Sequence, residues 1–309
     1  SQSIAQALEL ELSLDAVGKT SPRHPENLEA YEAYVRGMNH FASRYMFSLD
    51  PADFQASVDM IKSAIALDSD YAEAYAGLAW IYTMDYVGYN NPEDLQKSQE
   101  YAEKAYNLNP DSGIANALYG VKFFFAGDDD RAYELYKKSL ALNPNQAESQ
   151  FIAGVFLRQL GLAEPALHHF QKALDINPFF PLADGASGMC KAMLGDPESA
   201  GSFFERHKQK NPRMAILGAV VGALLFYDRK EKAEEFIEYI EKEFPEHPGL
   251  DSSRALLMAA NGEQTKALKL DDSLYIHALL KMKEATLTSI EQSIQRSDRT
   301  LNYLVLKYP

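Results

Sequence analysis

Pro110, Pro144, Pro178 and Pro212 stand 34 residues apart, and Gly120, Gly154, Gly188 and Gly222 keep the same interval. Gly127, Gly161 and Gly195 repeat in phase with them, as do Ala132, Ala166 and Ala200 and the aromatics Tyr136, Phe170 and Phe204. A fixed period of this length constrains the fold strongly. A helix–turn–helix unit so short cannot bury its apolar face alone, so each copy has to stack on its neighbours.

Each column has a physical reason. The first glycine lies within the first helix of a pair, where a missing side chain lets the second helix approach, and the alanine does the same from the other side. The aromatic one turn after that alanine fills the space they leave. The second glycine column sits where the first helix ends and supplies a left-handed terminus. The prolines end the second helix.

This order of glycine, glycine, alanine, aromatic and proline resembles the tetratricopeptide repeat, with three consecutive units over 113–214 that carry no insertion or deletion. The resemblance implies an all-α fold: a right-handed superhelical solenoid of antiparallel helix pairs, about seven to eight of them. The register places units near 30–71, 72–112, 113–146, 147–180, 181–214, 215–247 and 248–271 within a solenoid over 27–271. Residues 1–26, with Ile4, Ala7, Leu8 and Leu12 at helical spacing, read as an N-terminal capping helix and loop. Residues 272–309 read as an irregular helical cap and tail.

The first two units depart from the period. Gly37 to Ser57 is 20 residues and Ala79 to Ser98 is 19, against 12 from Gly120 to Ala132, so two turns carry eight and seven extra residues. Both insertions close on a helix start, Asp50-Pro51 and Asn91-Pro92, each followed by acidic residues. Arg44, Tyr45 and Phe47 in one insertion, and Asp85, Tyr86, Tyr89 and Asn90 in the other, form a candidate tyrosine-rich contact surface. The competing reading is that the flanking helices are longer and pack on each other.

Charge excludes some partners. A formal net charge of -14 opposes phosphate backbones and anionic membranes, and no basic stripe interrupts it. Neither nucleic acid nor direct membrane binding is expected. No run of about 18 apolar residues occurs and the chain begins at Ser1 without a charged-then-apolar leader, so neither a transmembrane helix nor a signal peptide is expected. The absent initiator Met suggests a piece of a longer protein. The order of Ile4–Leu12, Asn27–Gly37 and Asp70–Ala79 is similar to the C-terminal repeat region of bacterial multidomain signalling proteins. In those families an output module precedes the repeats: a nucleotide cyclase, a serine/threonine kinase or a winged-helix regulator. That resemblance implies a partner-binding or regulatory role and leaves the compartment, cytoplasm or periplasm, open.

Function would then reside on the concave wall, which first helices line. Inward positions hold Tyr34, Met38, Phe41, Trp80, Met84, Val121, Phe124, Phe125, Phe151, Val155, Arg158, Met189, Met193, Phe226 and Tyr227. This wall is apolar and aromatic, suited to an amphipathic helix or an apolar extended segment of a protein partner. The lysines and arginines of a carboxylate clamp are missing from Ile114, Ala117, Val121, Glu148, Phe151, Val155, Leu182 and Met189. Three readings compete with an open groove. The aromatics can serve as core or be covered by the chain's own tail, Thr300 to Pro309; Arg158 and Gln159 with Glu73 and Glu148 can hold a small ligand; or exposed apolar patches can form a homodimer.

Catalytic signals are weak. Gly185-Ala186-Ser187-Gly188 has glycines near a serine but falls within a close-packed first helix rather than a strand-to-helix turn. His168 and His169 are adjacent and point to different sides of a helix. Asp128, Asp129 and Asp130 lack the spacing and glycine of a calcium loop, and suit a helix start. Cys190, the single cysteine, reads as a buried thiol. No enzyme activity, cofactor or metal is expected.

Overall fold

Helix starts and stops follow from local chemistry. The Asp50 and Asn91 side chains accept hydrogen bonds from the amides of Ala52 and Glu93, with Pro51 and Pro92 in the first turn, so the second helices of the first two units begin there. Asp128 caps the next second helix by accepting from the Arg131 amide. Gly127, Gly161 and Gly195 take φ of 87°, 78° and 100°, the left-handed turn that releases each first helix, and Gly262 repeats it at 79°.

The computed structural model describes residues 27–46, 50–89, 91–196, 221, 224–225, 229–243, 245 and 250–271. Helix α1 (Leu28–His40) runs into a π-helical turn (Phe41–Tyr45). Then come α2 (Pro51–Leu67), α3 (Ala72–Tyr89), α4 (Pro92–Leu108), α5 (Gly113–Ala126), α6 (Asp129–Leu142), α7 (Ala147–Gln159), α8 (Ala163–Ile176) and α9 (Pro181–Met193). Beyond them lie α10 (Lys230–Glu243), α11 (Leu250–Ala260) and α12 (Gln264–Leu270). The described residues contain no strand. α1, α3, α5, α7 and α11 each pack on the second helix that follows, and α1, α3, α5, α7 and α9 also lie against one another in sequence, forming a continuous wall. One core extends from Ala30 to Cys190; Val221 to Leu250 form a second cluster, and Ala255, Ala259 and Ala267 a third.

The repeat columns meet as their residue types require. A Cβ on Gly120 would lie 2.5 Å from the Tyr136 ring, and one on Gly154 would lie 2.6 Å from the Phe170 ring. In the first unit Gly37 faces Ile61 in the same way, at 2.5 Å. Ala132 and Ala166, both 0% exposed, complete the close approach. The prolines stand two residues beyond the second helices rather than at their ends. Asn109, Asn143 and Asn177 intervene, each accepting an amide two residues on, from Asp111, Asn145 and Phe179. From the following first helix, buried Asn116 and Gln150 donate to the carbonyls of Pro110 and Pro144 at 2.8 and 2.7 Å. Three successive unit boundaries are thereby fixed by side-chain amides.

The two insertions are helix rather than loop. They lengthen the first helices, α1 through the π turn to Met46 and α3 to Tyr89, and the lengthened parts pack together. The N-terminal capping helix with Ile4, Ala7, Leu8 and Leu12, the columns at Ala200, Phe204 and Pro212, and the cap and tail over 272–309 lie outside the described residues.

Candidate polypeptide-binding wall

The structure divides the proposed groove residues into two sets. Phe41, Trp80, Met84, Val121, Phe124 and Phe151 are each buried to 9% exposure or less and belong to the main core. Tyr34, Met38, Phe125, Val155, Arg158, Met189 and Met193 are half-buried, and the first four of them pack against that core. Phe226 and Tyr227 lie outside the described residues.

The buried set closes the middle of the wall on itself. Trp80 on α3 meets Phe151 on α7 edge to face at 6.0 Å, although a whole unit separates their helices in sequence. The intervening α5 carries Ala117, 1% exposed, at the position equivalent to Phe151, and so small a side chain leaves room for the contact. Phe180, in the turn before α9, completes the cluster at 6.4 Å from Trp80 and 5.1 Å from Phe151. Sequence periodicity gave Phe180 no role. Its signal was indirect: a tryptophan facing an alanine needs cover from farther along the chain. Phe124 packs edge to face on Phe125 and Phe156 at 5.3 and 5.9 Å and serves as core between units. An introduced carboxylate at Phe124 would therefore test folding rather than binding.

At the N-terminal ends of the first helices the wall is polar. The Tyr34 ring packs on Tyr71 at 5.3 Å and over Gly77, where a Cβ would come within 3.0 Å of it. Burial, with the charges of Glu148 and then Glu73, holds the Tyr34 phenol far above its usual range. Both glutamates stand in the first turn of their helices, α7 and α3, where the helix dipole favours a carboxylate. Burial raises the Glu148 carboxyl, partly countered by a bond from its own amide. Toward the other end of α7, the Arg158 charge acts on Cys190, whose thiol burial pushes up to about 11. Gln159 Oε1 is buried there with no hydrogen-bond partner among the described residues.

Among the described residues of the insertions, the tyrosines pack inward. Tyr45 is 0% exposed and donates its hydroxyl to Asp85, while Tyr86 packs edge to face on Phe125 at 5.3 Å. Arg44 is exposed; Phe47, Asn90 and the Tyr89 side chain lie outside what is described.

The weak catalytic signals have structural uses. Ser187 is 5% exposed within α9, and Cys190 is fully buried. His169 shares a hydrogen bond with Gln150 at 2.8 Å while His168 faces solvent. Among the described residues no group of three or more histidine, cysteine and acidic side chains is placed to hold a metal. No described helix is long and apolar enough to cross a membrane.

A wall of stacked first helices backed by second helices defines a tetratricopeptide-like α-solenoid. The comparisons with solved structures agree. A tetratricopeptide repeat protein from Parabacteroides merdae superposes with a TM-score of 0.51 at 17% identity, over 83% of this chain and 99% of that one. Human IFIT1, solved as a dimer with m7Gppp-AAAA, superposes with a TM-score of 0.60 at 17% identity, over 89% of this chain and 72% of that one. PilW, a type IV pilus biogenesis factor, gives a TM-score of 0.47 at 20% identity, over 72% and 97%. At these identities the likeness is one of fold. No family model and no curated protein matches the sequence.

Proposed function

We propose that this chain is a non-catalytic protein–protein interaction module that takes a polypeptide segment along the wall of its first helices. The supporting observation is the half-buried set on three successive first helices: Phe125 on α5, Val155 and Arg158 on α7, Met189 and Met193 on α9. Val155 and Met189 occupy the same repeat position, so an extended or helical segment lying across the units would touch both. Methionine adapts to varied apolar partners. Glu73 and Glu148 beside Tyr34 favour a segment that carries a lysine or arginine at its other end. The buried Trp80 cluster narrows the groove to these two stretches. In the wider reading, the module is the regulatory or sensor part of a larger bacterial signalling protein, with a bound segment passing its effect to an attached output domain.

The test is binding by Val155→Glu/Met189→Glu, two half-buried positions, with Val155 set at the edge of the main core. The double variant should keep the wild-type helical circular dichroism and thermal midpoint while losing at least about tenfold in affinity for a selected peptide, about 1.4 kcal/mol. Unchanged affinity would remove the groove reading.

Self-association is a second reading with its own observation. Phe179 is 83% exposed in the turn before α9, and Ile176 is 39% exposed three residues earlier. A dimer docked there would be broken by Phe179→Asp, seen as a halved mass in light scattering.

A further inference from the structure

Tyr119 and Phe123 stand one turn apart on the side of α5 opposite Val121, facing away from the wall proposed for binding. Together with Tyr106 of α4 they make an unbroken strip: Tyr106 stacks on Tyr119 at 4.6 Å, and Tyr119 meets Phe123 edge to face at 5.0 Å. All three rings are half-buried. A cation stands over each of them. Lys138 Nζ, from α6, lies 5.6 Å from the Tyr106 centroid, and Lys122 Nζ lies 5.6 Å from that of Tyr119. The Arg131 guanidinium, also from α6, rests 3.9 Å from the centre of the Phe123 ring.

The repeat does not require this arrangement. One unit further on, the equivalent positions hold Leu140, Ala153, Phe156, Leu157, Pro165 and Lys172, an apolar seam with a single lysine. The acidic neighbours of the strip are already engaged. Glu103 takes Lys122 at 2.7 Å, and Glu134, which lies between Arg131 and Lys138 along α6, takes Lys137 at 2.9 Å. Arg131 and Lys138 enter no ion pair among the described residues. Lys138 Nζ donates to the Pro110 carbonyl at 2.7 Å, which leaves it further N–H donors, and only the backbone amide of Arg131 is bonded, to Asp128. Held over ring faces, the two side chains have already lost part of their rotamer freedom, so pairing with an incoming carboxylate costs less entropy. In a chain of net charge -14 this is a local positive spot set on exposed aromatic edges.

We propose that this strip is a second docking surface, for an acidic polypeptide segment whose carboxylates pair with Arg131 and Lys138 while an apolar side chain lies against Tyr106 and Tyr119. Charge complementarity selects the partner. A guanidinium can take a carboxylate through two parallel hydrogen bonds, and the lysine adds a point charge beside it. A single strand of nucleic acid would meet the same rings and cations, but its continuous phosphate charge also meets the negative field of the whole chain. A segment with a few carboxylates senses mainly the cations within a Debye length, about 8 Å at physiological salt. The strip lies apart from the wall of first helices, so this inference does not rest on the groove reading.

The experiment titrates the full chain with a short peptide alternating glutamate and leucine, followed by nuclear magnetic resonance of the aromatic rings and of the arginine Nε–H groups. The same peptide with glutamine for glutamate, and oligothymidylate of matched charge, serve as comparisons. The expected result is saturable shifts at Tyr106, Tyr119, Phe123 and Arg131 with the glutamate peptide, which shrink in about 1 M salt, where the Debye length is about 3 Å. Arg131→Gln/Lys138→Gln should weaken binding at least about tenfold with unchanged helical circular dichroism. Lys172→Gln, the equivalent lysine of the next unit, should leave it unchanged, which separates the strip from a general loss of positive charge. Shifts that miss the strip, a glutamine peptide that binds equally well, or affinity untouched by the double variant would overturn the proposal. Tighter binding of oligothymidylate at the same rings would overturn it in favour of nucleic acid.

Discussion

Replacing Gly154 by alanine tests the contact that defines the repeat. The new Cβ would lie 2.6, 2.8 and 3.0 Å from Cε1, Cδ1 and Cζ of Phe170, against the roughly 3.5–4.0 Å at which carbon atoms rest. The ring would have to shift by up to about 1 Å. It is 0% exposed, with Phe151 5.7 Å from its centroid, so it has no free direction in which to move. Overpacking of this kind costs about 1–3 kcal/mol. Alanine within a helix returns about 1 kcal/mol relative to glycine. A net loss of up to about 2 kcal/mol follows from those two ranges. Urea titration followed by circular dichroism reads this as a lowered midpoint at unchanged slope. Phe170→Leu removes the ring edge, so Gly154→Ala/Phe170→Leu should be less destabilised than the sum of the singles by about 1 kcal/mol. Gly262→Ala serves as control: nothing lies within 4 Å of its Cβ, so its cost comes from the positive φ of 79° and should simply add to that of Phe170→Leu. An additive pair would refute the idea that ring contact requires this glycine.

Trp80→Ala opens the aromatic cluster that joins α3 to α7 and the turn before α9, and should cost about 3–5 kcal/mol in the same titration. Cys190 should resist thiol reagents in the folded chain, since the thiol is fully buried and pushed up to about 11, and react at once in denaturant. Ser112→Ala, which removes the side chain accepting from the Ala115 amide, should cost about 1 kcal/mol. His169 is depressed below 6.5 by burial, then by His168 and Lys172; its contribution is present above 6.5 and lost as pH falls through its folded value, and His169→Gln should abolish that loss.

Much of the architecture was legible because the period fixes both helices of a unit at once. Gly154 and Phe170 could be matched across 16 residues only because Gly120 and Tyr136 repeat the match. The asparagines at 109, 143 and 177 were as regular as the prolines beside them, and carry the turn bonds. The insertions were harder to read: extra residues can extend a helix or form a loop, and Tyr45 reveals which only through its bond to Asp85, 40 residues away. The wall was least legible. Inward spacing identifies residues facing the axis of the solenoid but not those buried by contacts across it, and Trp80 reaching Phe151 depends on the small Ala117 between them.

The most direct measurement is a selection of displayed peptides on the purified chain, followed by affinity measurement on wild type and Val155→Glu/Met189→Glu. The account predicts peptides with apolar anchors and a basic residue, bound by wild type and weakened at least about tenfold in the folded double variant. Peptides that bind both chains equally, or a selection that enriches none, would contradict a polypeptide-binding wall.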